Sequence, residues 1–229
     1  MSHQTNVTRI KAVSNALKAL NVKVVFVGGS TVSFYSDRPS LEVRPTDDVD
    51  LLVEILNYKE RTQIEERLRI LGFSHDLESG IVCRYLIEGI TVDIMPTEDP
   101  SIGFTNIWYS EGFKFSVQYV IDDQNIIEIL DAPYFVATKF EAFGSRGRND
   151  GRTSEDFEDI IFVLENRKAI WEEMNNAGTD LKNYLKAKFR NLLSNNNIVE
   201  WVSGHISTEN HFAANRILEE IFNFVVEDK

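Results

Sequence analysis

The sequence has one cysteine, no low-complexity tract or internal repeat, and no long apolar run. The single cysteine, Cys83, cannot form an internal disulfide, so we expect a protein of the reducing cytoplasm. No apolar stretch approaches the roughly 20 residues of a bilayer-spanning helix, and residues 1–20 lack the apolar core of a secretion signal. We therefore expect no membrane partner. Cys83 lies in a strand-like stretch, where a packed small side chain is a better interpretation than a nucleophile.

Basic residues are also in short supply, since 24 lysines and arginines face 36 acidic residues and give a formal net charge of −12. This charge balance disfavours non-specific binding of nucleic acid over a broad surface, because such binding requires a basic patch. One short segment is an exception, with four cations at Lys139, Arg146, Arg148 and Arg152. Two interpretations stay open for this segment, a solvated helix end and a local basic groove.

The first part of the chain mixes strand and helix patterns. Apolar residues at helical spacing predict helices over 6–20 and 57–71, and a further helix that begins in 31–35. Short β-branched runs predict strands at 22–27, 48–55, 81–87, 90–95, 113–121 and 125–130. Glu88 and Gly89 separate two of these strands by two residues, which predicts a hairpin turn.

From residue 132 onward the pattern is helical. The predicted helices are 134–143, 154–165, 168–177, 180–193 and 209–226. The fold class predicted from this order is α+β, with a mixed β-sheet and flanking helices followed by a C-terminal helical bundle. We place the domain boundary at Asp131-Ala132-Pro133, which gives an α/β domain at 1–131 and a helical domain at 132–229.

A Gly28-Gly29-Ser30 turn follows the first predicted strand. Glycines allow the backbone to approach a ligand closely, and amide groups at the start of a following helix favour phosphate. Most Gly-Gly-Ser turns are simple turns, so the motif carries little weight alone.

Asp48 and Asp50 open the second predicted strand. Side chains two residues apart on a strand share a face, so the two carboxylates project together while Val49, Leu51 and Val53 form an apolar face. Two adjacent carboxylates repel each other, and a divalent cation with oxygen ligands, Mg²⁺ above all, removes that conflict. The alternative is a pair of solvated acids at the start of a strand.

Asp93 projects from a later predicted strand, opposite in direction to its neighbours Val92 and Ile94. If that strand lies beside the one with Asp48 and Asp50, the three carboxylates converge. A third acid allows two ions to be held, one on the triphosphate and one at the attacking hydroxyl. The alternative is a lone polar residue on a half-exposed strand.

The order of strand, Gly-Gly-Ser turn, Asp-x-Asp strand and later Asp strand resembles the DNA polymerase β-like nucleotidyltransferase superfamily. The matching residues are Gly28, Gly29, Ser30, Asp48, Asp50 and Asp93. The resemblance implies a nucleotidyltransferase-type fold and transfer of a nucleoside monophosphate from a nucleoside triphosphate to a hydroxyl. It also implies Asp48, Asp50 and Asp93 as metal ligands, Mg²⁺ or alternatively Mn²⁺ as cofactor, and the turn residues as a nucleotide-binding element.

A second segment resembles the AbiEii/AbiGii-type toxin nucleotidyltransferases. The matching residues are Lys139, Ala142, Arg146, Asp156 and Asp159. Glu155 departs from the pattern, since the group often has a lysine there. The resemblance implies that Lys139 and Arg146 offset triphosphate charge, Lys139 in a catalytic role and Arg146 as a fork. It implies that Asp156 orients the lysine or the base. An ordinary ion pair on a helix, such as Arg152 with Asp156, is the alternative.

The acceptor stays open at this point. The toxin resemblance favours RNA, with the 3′ end of tRNA as acceptor and an antitoxin protein as partner. A small polycation of the aminoglycoside kind suits the acidic balance, and a protein acceptor is another alternative. A non-catalytic nucleotide-binding module is the alternative outside enzymes.

Overall fold

A computed structural model describes residues 2–38, 43–55, 57–98, 106–146, 150–206 and 212–226. The chain divides into two compact units. Unit 1 comprises Met1–Phe34 and Ser40–Asp131, and unit 2 comprises Tyr35–Pro39 and Ala132–Lys229.

Unit 1 is built on one seven-stranded mixed sheet of order β3-β4-β5-β2-β1-β7-β6. Its strands are β1 (Val24–Val27), β2 (Asp48–Val53), β3 (Ser74–His75), β4 (Arg84–Ile87), β5 (Ile90–Pro96), β6 (Val117–Asp122) and β7 (Asn125–Ile129). Its α-helices are α1 (Ser2–Leu17), α2 (Tyr58–Ile70) and α3 (Tyr109–Lys114), and a 3₁₀ helix spans Gly29–Tyr35. The order makes β2 the central strand.

The central strand has a paired strand on each side. β2 pairs antiparallel with β1 and parallel with β5. Val49, Leu51 and Val53 are fully buried, as the alternating pattern predicts, and Leu52 on the other face is buried too. The face with Asp48 and Asp50 therefore opens to solvent only near the start of the strand. This arrangement confines the two carboxylates to one end of the sheet.

The turn between β4 and β5 is the predicted hairpin at Glu88-Gly89. Both residues have positive φ, 51° and 79°, which is the signature of a two-residue turn matching the strand twist. Ile87 pairs with Ile90 beside the turn, and three residues farther along Arg84 pairs with Asp93. The turn therefore fixes which side chains of the two strands lie opposite each other.

The strand predicted over 113–121 is wrong in its first part. Helix α3 spans Tyr109–Lys114, and the strand begins only at Val117. The Asn106 side chain accepts a hydrogen bond from the backbone N–H of Trp108 (3.1 Å), which favours a turn before the helix. Phe113 is buried from the helix, so its apolar character indicated the core correctly and the secondary structure wrongly. The strand predicted over 81–87 also begins later, at Arg84.

Unit 2 is helical throughout the part that the structure describes. Its helices are α4 (Ala132–Arg146), α5 (Glu155–Asn166), α6 (Ile170–Asn176), α7 (Thr179–Leu193), α8 (Ile198–Gly204) and α9 (Ala213–Val226). The five predicted helices are present with shifted ends, and residues 209–211 of the last prediction lie outside the described residues. Helix α8 was not predicted, because its seven residues are short for a helix and rich in β-branched side chains.

Aromatic side chains fill the core of unit 2. Phe189 contacts Phe140 and Phe224 edge to face, at ring-centroid distances of 4.9 and 5.8 Å. Trp201 packs edge-on to Phe157, with a centroid distance of 5.9 Å. Such pairs add stability beyond the burial of their area. Among the described residues, no helix of either unit is long and apolar enough to cross a bilayer.

Candidate active site

Three carboxylates meet on the sheet of unit 1. The parallel pairing of β2 with β5 places Asp50 beside Asp93, and Asp48 beside Thr91. One carboxylate oxygen from each of Asp48, Asp50 and Asp93 lies within 4.8 Å of the other two. Asp93 is 9% exposed, while Asp48 and Asp50 are half-buried. The structure therefore brings together the three acids that the sequence analysis singled out.

Gly28 lies against Asp50 and leaves no room for a side chain. It follows Val27, which pairs with Asp50 across the sheet, and its φ is +73°. A Cβ atom on Gly28 would lie 1.9 Å from Oδ2 of Asp50. Both the backbone angle and the available space therefore require glycine at this position. The glycine turn and the acid cluster form one site.

The rest of the turn leaves one buried hydroxyl unpaired. Ser30 is 1% exposed, and its Oγ has no hydrogen-bond partner among the described residues. Thr31 donates to the Gly28 carbonyl from both its backbone N–H (3.3 Å) and its Oγ1 (2.9 Å). The predicted helix after the turn is a 3₁₀ helix, and it begins with this closed turn. Since a buried hydroxyl without a partner costs free energy, Ser30 is available for a ligand.

Arg84 of β4 pairs with two of the three acids. Its Nε donates to Oδ1 of Asp93 and its Nη2 to Oδ2 of Asp93, each at 2.8 Å. Nη2 also donates to Oδ2 of Asp48 at 3.2 Å. The guanidinium thus forms a bidentate pair with Asp93 and a single bond with Asp48. It brings one positive charge to three negative ones.

Burial and the nearby charge of Asp93 both affect the pKa of Asp48. Burial raises the pKa of Asp48, and the neighbouring charge of Asp93 raises it further, while Arg84 opposes both. The Asp93 hydrogen bonds raise the pKa of the Arg84 guanidinium above its ordinary value. Burial, followed by the charge of Asp93, raises the pKa of the Cys83 thiol, so this cysteine is not an activated nucleophile.

The site fits a divalent cation of the hard type. Its three ligand groups are carboxylates, which Mg²⁺ and Mn²⁺ prefer, and their oxygens are close enough to share an ion. Burial and then the charge of Asp93 raise the pKa of Asp48, and a bound cation would stabilise its ionised form. Gly28 adds a close backbone approach and Ser30 an unsatisfied hydroxyl. The arrangement can hold a cation together with a phosphate-bearing ligand.

The residues around Lys139 form a separate cluster within unit 2. Lys139 is 4% exposed, and its Nζ lies 3.1 Å from Oδ1 of Asp156 and 2.6 Å from Oδ2 of Asp159. Arg146 binds Asp156 through Nε (2.7 Å) and Nη2 (2.9 Å). Ala142 is buried in the same helix. The five residues of the second resemblance are thus neighbours. Their charges form an ion-pair network that joins α4 to α5, with Lys139, Asp156 and Asp159 buried and Arg146 largely exposed.

Asp156 is ionised in this network. Burial alone raises the pKa of Asp156, but hydrogen bonds from Arg146 and the charge of Lys139 outweigh it, and the net pKa is lowered. Arg152 does not join the network, because it pairs with Asp150 at 3.0 Å and with Glu200 at 3.6 Å. The pair of Arg152 with Asp156, given above as an example of the alternative, is therefore wrong. Arg148 lies outside the described residues.

Sequence reasoning missed two arginines, one paired with the acids and one beside the glycine turn. Arg84 could have been found from the hairpin, since counting three residues back from Ile87 and three forward from Ile90 places it opposite Asp93. Arg44 lies against the glycine turn, where a Cβ on Gly29 would lie 2.3 Å from its Nη2. No local sequence pattern marks Arg44.

The fold is similar to those of two solved nucleotidyltransferase-type structures. One is an antigenic nucleotidyltransferase-like protein from Paracoccidioides brasiliensis, with a TM-score of 0.54 and 14% identity over 93% of this chain and 98% of that chain. The other is the antibiotic-resistance factor ANT(2″)-Ia, with a TM-score of 0.51 and 17% identity over 85% of this chain and 95% of that chain. No family model and no curated protein matches the sequence. The predicted fold class, a nucleotidyltransferase-type mixed sheet with a helical C-terminal part, is confirmed.

Proposed function

We propose that this chain is a divalent-cation-dependent nucleotidyltransferase, which moves a nucleoside monophosphate from a nucleoside triphosphate to a hydroxyl acceptor and releases pyrophosphate. The observation that carries the proposal is the convergence of Asp48, Asp50 and Asp93 against the Gly28 turn. A cluster of acids alone is common on protein surfaces. Here a tight glycine and an unpaired buried hydroxyl adjoin the acids, in a fold that nucleotidyltransferases share.

In this proposal the three carboxylates hold Mg²⁺, with Mn²⁺ as a substitute. When bound, the metal offsets phosphate charge and makes the acceptor hydroxyl more acidic. Ser30 donates its Oγ–H to a phosphate oxygen, and Gly28 and Gly29 let the backbone lie close to the triphosphate. Catalysis is then mainly positioning and electrostatic stabilisation of charge on the transferred phosphoryl group.

Lys139, Arg146 and Asp156 remain proposed nucleotide-binding residues on the strength of the second resemblance. The competing explanation is a structural role, because Lys139 and Arg146 both form ion pairs with Asp156. Lys139→Arg keeps the positive charge but places a larger guanidinium at a position that is 4% exposed. A nucleotide role predicts a raised KM for the nucleoside triphosphate in a variant that is still folded. A change in stability alone, with kinetics intact, contradicts that role.

For the acceptor, the charges favour a small cationic molecule over RNA. Lys139, Arg146 and Arg152, which sequence reasoning offered as a basic groove, are each paired with acids. A chain of net charge −12 attracts cations at long range. The similar fold of an antibiotic-resistance factor agrees with this choice. The toxin hypothesis, with tRNA as acceptor and an antitoxin partner, rests on the residues around Lys139 alone.

The acceptor is tested with triphosphates labelled at the α-phosphate. Each is incubated with the protein and Mg²⁺ in three reactions, one with aminoglycosides, one with total tRNA and one without an added acceptor. We expect label on the aminoglycoside fraction. Label on tRNA, with a rate that falls steeply as salt is added, would instead support the toxin hypothesis. Label on the chain itself would indicate a protein acceptor. Mg²⁺-dependent nucleotide binding without any turnover would favour a non-catalytic module.

A further inference from the structure

Arg84 neutralises part of the acid cluster from within the protein. Its guanidinium pairs with two of the three carboxylates, Asp48 and Asp93. Arg84 occupies both oxygens of Asp93 and one of Asp48, and these are the atoms from which a cation would draw its ligands. The arginine thus takes the position, relative to these two acids, of the counter-charge that a metal ion supplies.

The surroundings of Arg84 allow it to move. Its side chain is 22% exposed, in contrast to the 5% of the Lys139 side chain in unit 2. On β4 the next residue, Tyr85, points to the opposite face and is buried, while Leu86 on the face of Arg84 is exposed. Among the described residues, the strand that pairs with β4 on its outer side is the two-residue strand β3. The guanidinium can therefore leave the acids without disturbing the core.

We propose that Arg84 is a resident counter-cation that competes with the divalent ion for Asp48 and Asp93. Without an ion it holds the acids together, and on ion binding it releases at least one of them. This proposal rests on the metal site of the proposed function. Arg84 is therefore a regulatory and positioning residue that weakens ion binding until a nucleotide adds its own negative charge and favours the ion.

The test is the affinity of the full chain for Mn²⁺ without nucleotide, measured by electron paramagnetic resonance at low ionic strength. Arg84→Gln removes the charge, and we expect it to bind Mn²⁺ about tenfold more tightly than wild type, the scale of repulsion between charges a few ångströms apart in a water-like dielectric. Arg84→Lys keeps the charge, and its affinity should stay within about threefold of wild type. Arg61→Gln is the matched control, since Arg61 is a half-buried arginine paired with Glu65 on α2; its affinity should not change.

A second readout is the thermal midpoint with and without Mn²⁺. Without the ion, we expect Arg84→Gln to unfold at a lower temperature than wild type. With saturating Mn²⁺, we expect the thermal midpoint of the variant to rise by more than that of wild type. Weaker or unchanged Mn²⁺ binding in a folded Arg84→Gln variant would overturn the proposal, because Arg84 would then only orient Asp93. In that case wild type still binds Mn²⁺ and Asp50→Asn still loses binding. If wild type and Arg84→Gln both fail to bind Mn²⁺, the metal site itself is refuted.

Discussion

Gly28→Ala is the substitution that most sharply probes the junction of the glycine turn with the acids. The added Cβ would lie 1.9 Å from Oδ2 of Asp50, where contacts under 3.0 Å are essentially never found. The carboxylate or the backbone must therefore retreat by about 1 Å. Because the φ of Gly28 is +73°, alanine also meets backbone strain there.

The two effects have separate magnitudes. Left-handed backbone costs an L-residue roughly 1–2 kcal/mol. Forcing a methyl group into filled space costs about another 1–3 kcal/mol. A displacement of about 1 Å at a reacting group is expected to lower the rate on the order of 100-fold. Gly28→Ala should therefore lose roughly 2–5 kcal/mol of stability by these two costs and most of the transfer activity.

Gly80→Ala is the matched control, because Gly80 has a φ of +69° and open space around its missing side chain. It should lose only the 1–2 kcal/mol of backbone strain and keep full activity. Urea unfolding measures the stability of both variants, and α-labelled nucleotide transfer measures their activity. If Gly28→Ala transfers at the rate of Gly80→Ala and binds Mn²⁺ as tightly, the tight contact with Asp50 has no role in the site.

Three further predictions concern buried polar groups. Ser30→Ala removes an unpaired hydroxyl, so thermal unfolding without ligand should be unchanged or slightly later, while KM for the triphosphate rises about fivefold for one lost hydrogen bond; an unchanged KM would exclude the phosphate contact. Lys139→Met leaves Asp156 and Asp159 facing each other, and urea unfolding should show a loss of about 3–5 kcal/mol; a loss below 1 kcal/mol would contradict the buried pairing. The pKa of Asp156 is lowered, so its contribution is present above its unfolded pKa of about 4 and is lost as the pH falls through the lower folded value. Unfolding followed from pH 6 to pH 2 should show this loss in wild type, and less of it in Asp156→Asn.

Much of the sheet of unit 1 could be read from local patterns. The alternation around Asp48 and Asp50 gave the central strand, and Glu88-Gly89 gave the hairpin with its register. The role of Asp93 could not be predicted from its own strand, because the local sequence does not show that β5 lies parallel to β2. That pairing depends on the whole sheet order, and it is what brings the third carboxylate to the other two.

The misses have physical reasons of the same kind. From Phe113 to Ile121 every second residue is apolar, so the strand pattern continues into the end of helix α3 and does not mark where the helix stops. The Asn106 turn favours the helix at this point. The cations around Lys139 looked available for phosphate because charge alone does not show pairing. The partners of Lys139 and Arg146 come from α5, and only tertiary packing places this helix against α4. Arg84 is identified by the hairpin register, which places it opposite Asp93, and not by the residue pattern around it.

The central claim is that Asp48, Asp50 and Asp93 hold the divalent ions of a nucleotidyl transfer. Its most direct test compares wild type with Asp50→Asn, using triphosphates labelled at the α- or at the γ-phosphate, with Mg²⁺ or with a chelator. We predict that wild type transfers the α-label only, that the chelator abolishes transfer, and that Asp50→Asn is folded yet about a thousandfold slower. Transfer at the wild-type rate by Asp50→Asn, or transfer of the γ-label to the acceptor, would contradict the claim.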